Sequence, residues 1–244
     1  MVNLEKQIEV WIPHRISGFF QMMNPETTKK IKNPLKIGSR GGGPALEVYG
    51  KTKIYVNFNN TKTNNTKKIN HNIYINEKNK TSLANTSETV INYMKPFILK
   101  ELQGFCKLDI FHSFELPIGA GYGSSGAGAL GIALGLNKLF KLGFSDFEAA
   151  KFAHIAEVEN HTGLGTVGGQ FIGGFTISME PGYPFQMKKI PIPSYLRIII
   201  ASFGAISTKS ILTEQNYKKL IYKIGKKYMK RMKTDFSIKN FMET

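Results

Sequence analysis

Cysteine is almost missing from these 244 residues, and Cys106 stands alone. One thiol cannot form an internal disulfide, so a stapled extracellular scaffold is excluded and the usage fits a reducing cytoplasm. The five histidines are scattered and, with a single cysteine, show no metal-finger spacing. No apolar run approaches the roughly 20 residues that cross a bilayer, and the longest lies at residues 196–203. Glu5, Lys6 and Glu9 interrupt the first apolar residues, so no signal-peptide core is expected there.

Acidic side chains are scarce too, 17 against 33 lysines and arginines, which leaves a formal charge of +16. Much of the excess sits at residues 51–80 and 209–239. The first stretch is interleaved with asparagine from Asn57 to Asn79 and reads as a solvated insertion between strands. The second reads as a lysine-rich helix. Neither carries an RNA-binding aromatic signature or a helix-turn-helix pattern, so nucleic acid is not the expected partner. A basic surface equally suits an anionic substrate.

What is present has globular proportions, 41% apolar and 20% charged. Alternation over residues 2–12 puts Ile8, Val10 and Ile12 on one face of a strand, with a turn at 13–18. Residues 38–44 read as a glycine-rich bend and 45–58 as a hairpin turning at Gly50-Lys51. Residues 81–102 have helical spacing with Thr86 or Ser87 as N-cap, 106–115 alternate as a strand, and 127–142 make an apolar helix of small residues. Ser145-Asp-Phe-Glu148 is a capping box opening a helix to Asn160. Residues 162–174 read as a glycine-punctuated loop, and 175–178 as a short strand. The prolines at 181, 184, 191 and 193 mark the best boundary, dividing residues 1–190 from residues 191–244. The second unit offers one β-run, 196–203, and a basic helix, too little to bury both faces of a sheet. It is therefore expected to be short and incomplete, and to dimerise or expose apolar surface near Ile198, Ile199 and Ile200. The class is α+β.

The strongest local signal is a strand, then Pro117-Ile-Gly-Ala-Gly-Tyr-Gly-Ser-Ser-Gly126, then a helix. Glycines at 119, 121, 123 and 126 let a phosphate approach the backbone and permit positive φ. The helix start presents free N–H groups and a positive dipole end, and Ser124 and Ser125 add hydroxyls for phosphate or Mg²⁺. Gly121-x-Gly123-x-x-Gly126 also matches the bare dinucleotide fingerprint. That reading needs an acidic strand end about 20 residues on, and Asp146, at that spacing, sits in a capping box instead. A P-loop is excluded, because its nearest approach, Ala45-Leu-Glu-Val-Tyr-Gly50-Lys-Thr52, lacks the first glycine. A tight turn without ligand is the remaining alternative.

The turn and its helix resemble the ATP-binding motif of the galactokinase, homoserine, mevalonate and phosphomevalonate kinases (the GHMP kinases). Within that superfamily, Pro13-His-Arg-Ile-Ser-Gly-Phe-Phe20, Gly38-Ser-Arg-Gly41, Ala156-Glu-Val-Glu-Asn-His-Thr-Gly-Leu-Gly-Thr-Val167 and Ser207-Thr-Lys209 resemble, in order, the archaeal pantoate kinases. The resemblance spans about residues 8 to 215. It implies an N-terminal domain like the second domain of ribosomal protein S5, followed by a ferredoxin-like domain that is here short. It also implies ATP and Mg²⁺ as cofactors and pantoate as the small-molecule substrate, phosphorylated to 4-phosphopantoate on the way to coenzyme A.

Carried over residue by residue, the resemblance implies ATP on Pro117, Gly119, Gly121, Gly123, Ser124, Ser125 and Gly126. Mg²⁺ falls to Ser125 and a helix carboxylate, Glu157 first and Glu159 as the alternative. Arg15, Ser17, Arg40, His154 and Thr208 fall to the substrate, with Arg15 and Arg40 suited to a carboxylate by their bidentate geometry. Ser124, Glu157 and Thr166 fall to catalysis, although Thr166 stands where related kinases carry an aspartate base. Ser178 stands where pantoate kinases carry an arginine, and the superfamily's C-terminal glycine motif has no counterpart. A homoserine or shikimate kinase, a non-catalytic nucleotide sensor and a basic nucleic-acid module are the rival readings.

Overall fold

Strand β1 (Glu5–Arg15) keeps the expected alternation, with Ile12 buried and Ile8 and Val10 packed against the core. The computed structural model describes residues 5–59, 67–79, 84–102, 104–202, 204 and 208–243. After β1 come β2 (Phe19–Met22), the short helix α1 (Pro25–Thr28), a single 3-10 turn (Pro34–Lys36) and the long strand β3 (Ser39–Asn59). Then follow β4 (Lys68–Ile75), β5 (Lys78–Asn79), α2 (Asn85–Glu101), β6 (Phe105–Phe114), α3 (Ser124–Phe140), α4 (Asp146–Asn160), α5 (Thr166–Ile172), β7 (Phe175–Glu180) and β8 (Gln186–Lys189). Three helices end the chain: α6 (Thr208–Thr213), α7 (Gln215–Thr234) and α8 (Ile238–Met242). The α+β class expected from the sequence holds.

Strand β3 organises both layers. Its C-terminal half pairs antiparallel with β1 on one side and β6 on the other, and β4 joins β6 in parallel. Its N-terminal half pairs antiparallel with β2 and β7, and β8 adds to β7. No hairpin turns at Gly50-Lys51, where Gly50 sits mid-strand between Ile12 and Phe114. Nor do residues 38–44 form a bend: Gly42 is strand backbone, and a Cβ there would lie 1.9 Å from the Thr176 carbonyl oxygen. Glycine marks close strand approach at both places, not reversal.

Helices α2, α3 and α4 cover the first layer around Ile54, Leu108, Ile110, Leu130 and Leu136, all fully buried. The small residues of α3 let it lie close, since a Cβ on Gly131 would come within 2.3 Å of Thr52 Oγ1. Helix α2 opens at Asn85 with no side-chain cap, so Thr86 and Ser87 are not its N-cap. Ser87 instead turns inward to His112, whose two ring nitrogens bond Ser87 Oγ (3.1 Å) and Thr52 Oγ1 (2.9 Å). The reciprocal capping box at Ser145 and Glu148 forms as expected, and α4 ends at Asn160.

Part of the asparagine-rich stretch is structured, because β4 pairs with β6, while residues 60–66 and 80–83 lie outside the described residues. Residues 196–202 are not a strand: the described chain there has no partner, and Ile199 is 98% exposed. Phe203 lies outside the described residues. The basic helix α7 packs on β2. Its Met229 and Met232 join Phe19, Phe175, Ile177, Ile190 and Phe241 in a second apolar cluster over the β8-β7-β3-β2 layer. Among the described residues, no helix is long and apolar enough to cross a membrane.

Candidate active site

The alternation of β6 ends at Phe114, and the chain enters the glycine turn between the first layer and α3. Gly119, Gly121 and Gly123 have φ of 82°, 87° and 70°, the left-handed region the sequence reading required. Helix α3 begins at Ser124, a turn earlier than the expected 127, so Ser124, Ser125 and Gly126 form its first turn. Gly123 caps the helix without a side-chain bond, which leaves first-turn N–H groups open to an anion. A Cβ on Gly121 would meet no protein atom within 4 Å, so this edge of the turn faces open space.

That space is a cavity of about 640 Å³. Gly119, Gly121, Gly123, Ser124 and Ser125 bound one side of it, and Arg15, Ser17 and Ser178 are also in its wall. Gly165 and Thr166 close it at the start of α5, and Ile211, Leu212 and Ile221 from the C-terminal helices. The expected loop at 162–174 is thus partly helical. Its second half forms α5, whose Gly169 passes so close to Arg15 that a Cβ would lie 1.6 Å from Nη1.

Arg15 is 3% exposed and donates from Nη1 to Thr176 Oγ1 (2.6 Å) and from Nη2 to the Thr176 carbonyl (3.2 Å). Burial lowers its pKa to about 10, so it stays charged at neutral pH. Among the described residues Arg15 takes part in no ion pair, and its Nε has no partner. A buried guanidinium left uncompensated favours an incoming anion.

Glu157 is 1% exposed, beneath the start of α3, and its Oε1 accepts from Ser125 Oγ at 2.6 Å. Its Oε2 is enclosed and accepts no hydrogen bond. It lies 1.9 Å from where a Cβ on Gly163 would stand, and 3.3 Å from one on Gly126. Burial raises the carboxyl's pKa, opposed in part by the hydroxyls of Ser125 and Thr162. Glu159 instead faces outward, where it accepts from the Tyr93 hydroxyl (2.5 Å) and holds that phenol's pKa up near about 12.

The other sequence-derived residues divide. Ser178 Oγ donates to the Glu180 carbonyl at 2.9 Å. Pro117 and Gly126 bound the turn without lining the cavity. Arg40 does not reach this cavity: its guanidinium pairs with Glu180 and donates to the Met179 carbonyl. His154 does not reach it either. It is 2% exposed, its Nε2 bonds the Ile37 carbonyl at 3.0 Å, and desolvation lowers its pKa to about 4. A neutral imidazole fastened to backbone is a packing element at this position. Thr208 begins α6, but its side chain, like the whole of Ser207, lies outside the described residues.

Two residues that the sequence reading missed hold the site together. Gln170 donates from Nε2 to the carbonyls of Pro13 (3.0 Å) and Gly123 (3.0 Å). His14 Nδ1 bonds the Tyr122 carbonyl at 3.0 Å. The one available signal was a lone amide inside Gly-Gly-Gln-Phe-Ile-Gly-Gly. Among the described residues, buried polar atoms without partners occur on His14, Arg15, Ser124, Asn137, Glu157 and Gln170. All but Asn137 belong to this site. Of these, Arg15 and Ser124 line the cavity, while His14, Glu157 and Gln170 lie behind its wall; buried polar atoms without partners are rare in finished folds.

Residues 87–173 match the family model described as GHMP kinases N terminal domain. The chain is 32% identical over 233 residues to a pantoate kinase of Methanocaldococcus jannaschii, covering 96% of this chain and 76% of that one. It is 30% identical over 207 residues to a pantoate kinase of Thermococcus kodakarensis, covering 84% and 63%. Among solved structures, a "phosphotransferase related to CoA biosynthesis pathway" superposes with a TM-score of 0.76 at 24% identity, covering 97% and 72%, a likeness of fold.

Proposed function

This chain belongs to the pantoate kinase family within the GHMP kinases, and on that premise we propose that it moves the γ-phosphoryl group of ATP to the 4-hydroxyl of pantoate in the cytoplasm. The product, 4-phosphopantoate, would enter coenzyme A synthesis. One observation carries the reading: a single cavity has the glycine turn with Ser124 and Ser125 in one wall and Arg15 with Ser17 in another. Phosphate donor and carboxylate-bearing acceptor can meet there.

The roles follow from the chemistry of each group. The N–H groups of the turn and of the first turn of α3 take the phosphates, and Ser124, whose Oγ is buried without a partner, adds a donor. Arg15 takes the acceptor's carboxylate and Ser17 meets its hydroxyl, while Thr208 is assigned to the acceptor from its motif alone. Ser125 and Glu157 suit Mg²⁺, because they offer hard oxygens and Glu157 Oε2 is enclosed with no donor of its own. When bound, the ion neutralises charge on the β- and γ-phosphates. Thr166 cannot act as a base at neutral pH, so it orients the acceptor, and the transfer rests on positioning and charge stabilisation. His154 and Arg40 act through the backbone they hold, at Ile37 and Met179, and not by touching substrate. Residues 1–190 then form the nucleotide unit, and residues 191–244 close the acceptor side through Ile211, Leu212 and Ile221.

Phosphorus NMR of the reaction of the purified protein with ATP, Mg²⁺ and pantoate tests the assignment. A new phosphomonoester coupled to the C4 protons is expected. Inorganic phosphate alone would mean idle ATP hydrolysis and would refute the acceptor.

A further inference from the structure

The acceptor arm of the site, Pro13-His14-Arg15 and on to Ser17, is fastened to the nucleotide turn by cross-links distant in sequence. The Arg15 N–H donates to the Tyr122 carbonyl at 3.1 Å, and His14 Nδ1 bonds the same oxygen at 3.0 Å. The third cross-link is Gln170, whose single amide nitrogen spans the Pro13 and Gly123 carbonyls, both at 3.0 Å. It is the one side chain among these that grips both arms at once, from a third element, α5. It is 2% exposed, and its position is fixed tightly. A Cβ on Gly126 would lie 2.5 Å from its Oε1, and one on Gly123 would lie 3.1 Å from its Nε2. Only a group with two N–H donors at this reach can satisfy both carbonyls.

Building on the kinase reading, we propose that Gln170 is a positioning residue that sets the distance between the phosphate turn and the acceptor arm, and so couples nucleotide binding to acceptor placement. Phosphoryl transfer depends on the in-line approach of an acceptor oxygen, and a misplacement of about 1 Å costs about 10²-fold in rate. Gly123 also caps α3, so a nucleotide that settles on the turn pulls on the Gly123 carbonyl and, through Gln170, on Pro13 and Arg15. No part of Gln170 need touch either substrate for this.

Three variants separate the latch from mere packing. Gln170→Met keeps the length and removes both donors. Gln170→Glu keeps the shape but sets an oxygen against two carbonyls. Gln170→Asn shortens the reach and serves if the others fail to fold. We expect kcat to fall about 10²-fold in the first two, while the affinity for a non-hydrolysable ATP analogue stays within about threefold and circular dichroism is unchanged. Amide exchange gives a readout that needs no turnover. In the parent, the analogue should slow exchange both in the turn and at the Arg15 amide; in Gln170→Met it should slow the turn alone. Unchanged kcat in the variants, loss of analogue affinity in parallel with kcat, or protection of Arg15 surviving in Gln170→Met would each overturn the proposal. A parent that shows coupled protection but no pantoate phosphorylation would refute the substrate and leave the latch standing.

Discussion

A few side chains carry the chemistry, and Glu157 is the most exposed to test. It is buried with one oxygen on Ser125 and the other without a donor, whereas Glu159, two residues on, is spent on Tyr93 at the surface. Glu157→Gln keeps the volume and removes the charge, so kcat should fall by at least ~10²-fold in a steady-state assay, as for loss of one buried electrostatic contact to the transferred group. Glu159→Gln should stay within about threefold of the parent, and the reverse order would move the metal to Glu159. Histidines give a second test. Burial holds His112 and His154 near a pKa of about 4, below the ordinary 6.5. The unfolded chain therefore takes up protons first, so their contribution is full above pH 6.5 and is lost as pH falls toward about 4. Each is worth on the order of 3 kcal/mol, and the Tm should drop through that window. The drop should be shallower in His112→Asn, and an equal slope would refute the assignment. The residue types of this site were readable because glycines, serines and Glu157 stood in motif order. Gln170 and His14 were not, because their work is a hydrogen bond to backbone far away in sequence, which leaves no local pattern.

Local elements succeeded where their cause is local. The capping box of α4 lies within four consecutive residues and is legible in them, and the turn's positive φ values follow from glycine itself. Strand β3 failed for the opposite reason. Its glycines at 42 and 50 answer to Thr176, Phe114 and Ala127, all distant in sequence, so they look like turns until those neighbours are placed. Helix α5 looks like loop in sequence because glycine lowers helix propensity, yet Gly168 and Gly169 are there to admit Phe185 and Arg15. The same contacts choose the better probe of the turn. A side chain on Gly123 or Gly126 would strike Thr166 or Gln170, and so confuse binding with folding. Gly121→Ala meets no protein atom, and its left-handed φ should cost only about 1–2 kcal/mol. Its methyl enters the phosphate's space, so calorimetric ATP affinity should fall at least about tenfold. Unaltered affinity in the folded variant would place the phosphates elsewhere.

At the scale of the whole molecule, the basic excess has two outcomes. Lysines of α7 face solvent around a helix whose Met229 and Met232 seal the second layer, so much of the +16 charge decorates a covering element. Arg15, by contrast, is buried in the wall of the cavity, where a charge acts on a small anion with little screening. The apolar run at Ile198, Ile199 and Ile200 is exposed, as the short second unit led one to expect, but it forms no strand among the described residues, since a β-run without a partner edge has nothing to bond. The run's hydrophobicity and the shortage of neighbouring strands are legible in the sequence, whereas the loss of strand geometry is not. On the proposed reading, one cavity brings ATP together with a small hydroxy acid, pantoate. Coupled ADP release, measured under matched Mg²⁺ with pantoate, homoserine, mevalonate and shikimate in parallel, tests it most directly. The kcat/KM for pantoate should be at least about a hundredfold above the others: each of the four acids offers Arg15 a carboxylate, so the margin comes from how the site fits the hydroxyls and carbon skeleton of the acceptor. Equal rates with all four, or a preference for another acid, would contradict it.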